Sequence, residues 1–160
     1  MKLFNWLSEN HPRVLLWGLF ICFVCLVVIS QMRLIFLNST SVPFRVCLQI
    51  YNLKPKKGGL CAFDFRGRTF VKYMVGVPGD EIQRVGRVVY VGEARVGEVQ
   101  KAELLSPMEE GKIPEGYVFV AGTHPDSLDS RYKEFGLISA SDIRGRVFGL
   151  VTAPNEEIAP

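Results

Sequence analysis

From Val14 to Ser30 the chain reads VLLWGLFICFVCLVVIS, an apolar run without a formal charge. At a rise of about 1.5 Å per residue, a helix of this length covers the roughly 30 Å hydrocarbon core of a bilayer. Gln31 and Met32 extend it to the interface, where Arg33 snorkels. The stretch Leu34-Ile35-Phe36-Leu37 then leads from membrane into domain. An uninterrupted run this long favours a retained anchor over a cleaved signal peptide or a buried core helix.

Beyond the anchor the period changes from helical to strand-like. Residues 44–51 are rich in strand formers and partly alternating, and residues 54–59 form a polar turn with Pro55 and a Gly-Gly pair. Residues 60–65 and 68–77 read as the next two strands, with Gly67 between them. Residues 81–99 hold shorter segments separated by glycines, including Arg87-Val88-Val89-Tyr90-Val91. Residues 100–116 are a looser polar connection with a helical turn at 106–110. Residues 117–121 and 145–151 are later strands, the latter reached through Asp142-Ile143-Arg144, and residues 153–160 read as frayed. Short strands with glycine-rich turns predict a mainly β protein: one N-terminal transmembrane helix followed by a compact antiparallel β domain. The expected layout is a short N-terminus (1–13), an anchor (14–32) and a β domain (33–160).

Composition narrows the partners. The chain has 160 residues, 48% hydrophobic, and a formal charge of +3, too small to suggest nucleic acid. Phosphate-binding loops are absent; Gly76 and Gly79 punctuate a strand and form no nucleotide fingerprint. Of four cysteines, Cys22 and Cys25 lie inside the apolar run, where they behave as small hydrophobes. Cys47 and Cys61 flank what reads as a hairpin, so two readings stand: a disulfide in an oxidising compartment, or two buried free thiols. No CxxC pair with a matching His/Cys set is present, so no zinc site is expected. Lys2 and Arg13 precede the anchor while Arg33 and Arg45 follow it closely, which makes the positive-inside bias weak.

Three polar clusters carry candidate chemistry. Ser41 lies in Asn38-Ser39-Thr40-Ser41-Val42-Pro43, just past the anchor. Pro43 restricts Val42 to extended conformations and so holds the Ser41 hydroxyl and N–H in a defined direction. Lys72 lies in Val71-Lys72-Tyr73-Met74-Val75-Gly76-Val77-Pro78-Gly79-Asp80. Strand alternation places Phe70, Lys72 and Met74 on one face. A lysine there is either a base, if burial lowers its pKa enough to leave it neutral, or a surface charge snorkelling from a sheet edge. The third cluster is His124-Pro125-Asp126-Ser127-Leu128-Asp129-Ser130-Arg131-Tyr132, in which Ser127, Asp129 and Arg131 alternate. Asp129 and Arg131 suit an ion pair that braces the loop, and Ser127 suits a hydrogen bond to the lysine nitrogen. A Ser/His/Asp reading would use His124 with Asp129 or Asp126, although His124-Pro125 also reads as a turn. His11 precedes the anchor and cannot join the same site.

In order and spacing the three clusters resemble type I signal peptidases, the Ser/Lys serine proteases of family S26 that remove leader peptides at the outer face of the cytoplasmic membrane. The matching segments are Ser41-Val42-Pro43, then Lys72-x-x-x-Gly76-x-Pro78-Gly79-Asp80, then Ser127-x-Asp129-Ser130-Arg131. Ser41 stands two residues before the proline, where general leader peptidases place it three before. Gly122-Thr123-His124-Pro125 stands where they carry Gly-Asp-Asn. Both departures resemble the conjugative-transfer branch, the TraF-type peptidases that mature pilin precursors. Within that branch Leu128 replaces the usual aromatic, and the glycine expected after Pro43 is missing.

The resemblance implies Ser41 as nucleophile and Lys72 as general base, with Ser39 and the Ser41 N–H as oxyanion hole. It implies Ser127 as the residue that orients Lys72, Asp129 as support and Arg131 as its partner. It further implies a precursor protein as substrate (a pilin or a secreted protein's leader), an apolar surface resting on the lipid bilayer, no cofactor or metal, and either hydrolysis or cyclisation. This chemistry orients the chain with its N-terminus inside and its domain outside the inner membrane. A catalytically inactive tethered β domain in a secretion or pilus complex is the alternative; it has no need of all three clusters. An intracellular self-cleaving Ser/Lys switch is disfavoured by the anchor and the lack of a DNA-binding helix pair.

Overall fold

The computed structural model of the chain describes residues 12–101 and 104–153. The N-terminal segment with His11, and all but the first residue of the 153–160 tail, lie outside the described residues. The chain divides into two compact units, one ending at Arg33 and the other beginning at Leu34.

In the first unit the apolar run forms one helix, α1 (Pro12–Ser30). Its stretch Arg13–Ser30 is long and apolar enough to cross a membrane. Its large apolar side chains are exposed, Leu16 and Trp17 by about two thirds. The helix stops earlier than the apolar pattern suggests. Gln31 is a turn residue, and Met32 already opens a strand, β1 (Met32–Phe36). The reason is a switch of period: Ile35 and Leu37 pack inward while Leu34 and Phe36 face out.

The second unit holds two sheets. The larger has seven strands in the order β1-β2-β11-β3-β4-β9-β10, with β2 (Phe44–Ile50), β3 (Leu60–Phe65), β4 (Arg68–Gly76), β9 (Tyr117–Ala121), β10 (Ile138–Ser139) and β11 (Ile143–Thr152). The smaller has the order β7-β6-β5-β8, with β5 (Glu81–Val85), β6 (Val88–Val91), β7 (Ala94–Glu98) and β8 (Gly111–Lys112). The pairings β2–β11, β11–β3, β3–β4, β4–β9 and β5–β6 are all antiparallel. The protein is therefore mainly β, as its strand-length runs predict.

Alternation along β4 divides the core. Val71 joins Val42, Cys47, Leu60, Ala62 and Val147, whereas Met74 joins Cys61, Phe63, Val118, Val120 and Phe135. A third cluster, built on Ile82, Val89, Val91, Val99, Ile113 and Phe119, fastens the smaller sheet.

Two expectations are corrected. The segments flanking residues 51–59 do not form a hairpin, because the last strand, β11, inserts between β2 and β3. Cys47 consequently faces Gly149 and Cys61 faces Arg146 across β11, in different core clusters, and both thiols are free and buried. Two strand spacings of about 4.8 Å exceed the Cα separation a disulfide tolerates. The helical turn at 106–110 is also absent. Pro107 lacks an N–H and restricts Ser106, so the segment runs extended and bridges Tyr132.

Candidate active site

Ser41 sits in the turn before β2, where the buried side chains of Val42 and Pro43 hold it against the core. Its carbonyl oxygen accepts a hydrogen bond from the Thr123 N–H at 2.9 Å, which ties the first polar cluster to the third. Lys72 projects from β4, between β3 and β9, and is 1% exposed. Cys61 lies opposite it in register on β3, its thiol donating to the Lys72 carbonyl oxygen. The sheet-edge alternative for Lys72 is therefore excluded.

The three clusters converge on one point. Lys72 Nζ lies 3.2 Å from Ser41 Oγ and 2.7 Å from Ser127 Oγ, and the two hydroxyls are 3.3 Å apart. The Ser39 hydroxyl donates to Ser41 Oγ at 3.0 Å, and the Ser41 N–H donates to Ser39 Oγ at 3.1 Å. The two donors named for an oxyanion hole are thus adjacent to Ser41 Oγ and engaged with each other.

Burial governs the electrostatics. It lowers the Lys72 pKa to about 8; Asp129 raises that value and Arg131 lowers it. The Phe135 ring centroid, 5.9 Å from Nζ, gives the ammonium only a weak counterweight. Asp129 and Arg131 form a buried two-point ion pair, with Nε to Oδ1 and Nη2 to Oδ2 both at 2.9 Å. Burial opposes the Arg131 charge, but the Asp129 hydrogen bonds hold its pKa above the ordinary value. A neutral amine 3.2 Å from a hydroxyl can take its proton, and Lys72 titrates close enough to neutrality to supply that form.

The Ser/His/Asp alternative does not form. His124 Nδ1 accepts the N–H of Asp126 within its own turn. Asp129 is committed to Arg131 and to the Gly122 N–H.

Two residues that the sequence motifs contain, Gly122 and Ser130, are given no role by sequence reasoning. A Cβ at Gly122 would stand 2.3 Å from Ser127 Oγ and 2.6 Å from the Ser41 carbonyl oxygen, so the close approach of the two loops requires glycine there. A glycine directly after the strand-like run 117–121 was the available signal. Ser130 is fully buried and exchanges two hydrogen bonds with Val120, Val120 N–H to Oγ at 3.1 Å and Ser130 N–H to the carbonyl at 3.0 Å. That pairing fixes the 127–131 loop to β9.

The chain is similar to known proteins over part of its length. A 90-residue stretch is 33% identical to Signal peptidase I U of Bacillus subtilis (strain 168), covering 49% of this chain and 48% of that protein. The chain thus spans about half the length of the curated relative it matches. Among solved structures, a signal peptidase I from Enterococcus faecalis V583 is similar with a TM-score of 0.42 at 24% identity, covering 58% of this chain and 96% of that one. Residues 13–152, which include all three polar clusters, match the profile "Signal peptidase, peptidase S26", and the chain belongs to that family.

Proposed function

We propose that the protein is a membrane-anchored serine endopeptidase that removes leader or terminal peptides from exported precursors. The observation that carries this reading is the buried Lys72 amine, 3.2 Å from the Ser41 hydroxyl. In the proposed reaction neutral Lys72 takes the Ser41 proton as Oγ attacks the scissile carbonyl carbon. The carbonyl oxygen displaces Ser39 Oγ from the Ser41 N–H, and both donors then turn to the developing oxyanion. The Lys72 ammonium returns the proton to the leaving amine, leaving an acyl group on Ser41. In the second half water or an amine attacks the acyl carbon, Lys72 takes the attacker's proton, and the ammonium returns it to Ser41 Oγ as the ester bond breaks. Ser127 holds the amine aimed at Ser41 throughout, while Asp129, locked by Arg131, supports the loop.

The finer reading is a pilin precursor of conjugative transfer as substrate. It is supported by the two-residue Ser41 to Pro43 spacing and by His124-Pro125 ahead of Ser127. In this reading the anchor lies within residues 14–32, residues 1–13 lie on the cytoplasmic side of the inner membrane, and the 33–160 domain lies on its outer side. The test is co-expression of the full-length chain with a candidate pilin precursor, with and without Ser41→Ala, reading the precursor's mass. Loss of a leader only with Ser41 intact supports the peptidase, and one further water lost identifies cyclisation. Leader removal that persists in Ser41→Ala refutes Ser41 as nucleophile.

A further inference from the structure

The smaller sheet contributes no side chain to the Ser41–Lys72–Ser127 cluster, yet its edge strand β7 reaches the loop that carries Ser127. Arg131 Nη1 donates to the Glu98 carbonyl oxygen at 3.0 Å. The rest of the guanidinium serves its own loop: Nε and Nη2 hold the Asp129 carboxylate, and Nη2 also meets the carbonyls of His124 at 3.2 Å and Ser127 at 3.3 Å. Among the described residues, the Glu98 carbonyl is the guanidinium's hydrogen-bond partner from outside that loop. This partner is itself fixed. Val99 is buried and its N–H bonds to the Arg87 carbonyl oxygen, while the Lys101 N–H donates to the hydroxyl of buried Tyr132.

The contact depends on residue 97. A Cβ there would lie 3.1 Å from Arg131 Nη1, closer than side chains normally pack, and Gly97 has φ +135, a conformation that side-chain-bearing residues rarely adopt. We infer that the Gly97–Glu98 corner of β7 is a positioning element for the reaction: lacking a side chain at 97, it lets the Arg131 guanidinium dock on the Glu98 carbonyl, and this dock sets Ser127 against Lys72. The inference rests on the Ser41–Lys72 reading given above.

The dock also bears on the charge around Lys72. Phe70 and Met74 share its face of β4, and β3 presents Cys61, whose thiol is pushed up to about 12 by burial and stays neutral. The turn before β2 presents the Ser41 hydroxyl, the 127–131 loop presents Ser127 and the charges of Asp129 and Arg131, and the segment after it presents the Phe135 ring. If the guanidinium shifts off Asp129, the carboxylate's upward pull on Lys72 is less opposed. More of Lys72 is then protonated at a given pH.

The test uses the full-length chain in detergent, comparing Gly97→Ala with Gly86→Ala, whose glycine has φ +62 in the turn between β5 and β6 but nothing within 4 Å of an added Cβ. Cleavage kinetics, their pH dependence and the Lys72 titration read by NMR are measured per folded molecule. Gly97→Ala is expected to lower kcat about tenfold at unchanged KM. It should also move the acid limb and the Lys72 titration to higher pH, while Gly86→Ala leaves all of these in place. An unchanged acid limb and kcat in Gly97→Ala, or equal shifts in both variants, overturns the inference. Should Gly97→Ala fail to fold, Arg131→Lys decides, because it keeps the charge but cannot hold Asp129 and the Glu98 carbonyl together. An unmoved Lys72 titration in that variant is equally fatal. If the unaltered protein cleaves no precursor, the peptidase reading fails, while the Lys72 titration still decides the dock.

Discussion

Lys72 is where the proposed function and the stability of the fold pull in opposite directions. Its pKa falls from an ordinary 10.5 to about 8 because burial penalises the ammonium. Between those two values the unfolded chain binds more protons than the folded one, so stability rises with pH across that window. Below pH 8 the lysine is charged in both states and the full desolvation penalty is present. Lys72→Met is therefore expected to stabilise the fold at pH 7 by up to about 3 kcal/mol. Urea unfolding at pH 7 and pH 10 checks this, and the gain must shrink at the higher pH. The same titration sets the proposed activity: kcat/KM should climb with pH to a plateau above about 8. Lys72→Arg, whose guanidinium does not deprotonate, should abolish cleavage. Ser127→Ala removes the 2.7 Å partner of Nζ and is expected to lower kcat about a hundredfold with little change in KM.

The segment from β9 through the 127–131 loop behaves as one element. Ser130 pairs with Val120, the Gly122 N–H meets Asp129, the Thr123 N–H meets Ser41, and Arg131 gathers the carbonyls between. Gly122→Ala should distort it by driving a methyl into Ser127 and the Ser41 carbonyl, at a cost of about 1–3 kcal/mol from overpacking. A thermal melt together with a cleavage assay would reveal activity falling much further than stability. Asp129→Asn leaves the buried Arg131 charge without its partner and should cost about 3–5 kcal/mol. It also removes the group that raises the Lys72 pKa while keeping the one that lowers it. Whatever activity survives should show its acid limb at lower pH than the parent protein, and a limb displaced upward would contradict the electrostatic account.

Across the whole molecule, the last strand decides how the domain closes. By inserting between β2 and β3, β11 brings residues 143–152 beside residues 44–50 and 60–65. The two strands flanking the 51–59 segment thus come to lie one strand apart. Cys47 and Cys61 stay separate thiols in different packed clusters, and burial pushes both pKa values up, that of Cys61 to about 12. Neither is a ready thiolate, so a maleimide should leave both unmodified in the native protein and modify both after denaturation, with no reductant needed. Labelling that requires prior reduction would show a disulfide and contradict the strand order.

How far all this could be read from the chain depends on the range over which each feature is encoded. The apolar helix and the strand runs 60–65 and 117–121 are local patterns, set by period and by glycine punctuation; the strands appear where the sequence places them, and the helix ends at Ser30, two residues short of the expected anchor. Ser41, Lys72, Ser127, Asp129 and Arg131 could be singled out because their residue types and spacings are unusual for plain loops and strands. Sequence could not decide whether Lys72 was buried or snorkelling, since burial depends on what β3, β9 and the Phe135 segment lay over it. Nor could it assign a role to Gly122, Ser130 or the Gly97–Glu98 corner, whose partners lie in other segments of the fold or are felt only as a missing Cβ. Local order follows from periodicity along the chain; the closeness of three polar clusters, the depressed lysine and the separated thiols follow from pairing between distant strands. That pairing is decided by which apolar faces bury one another in three dimensions.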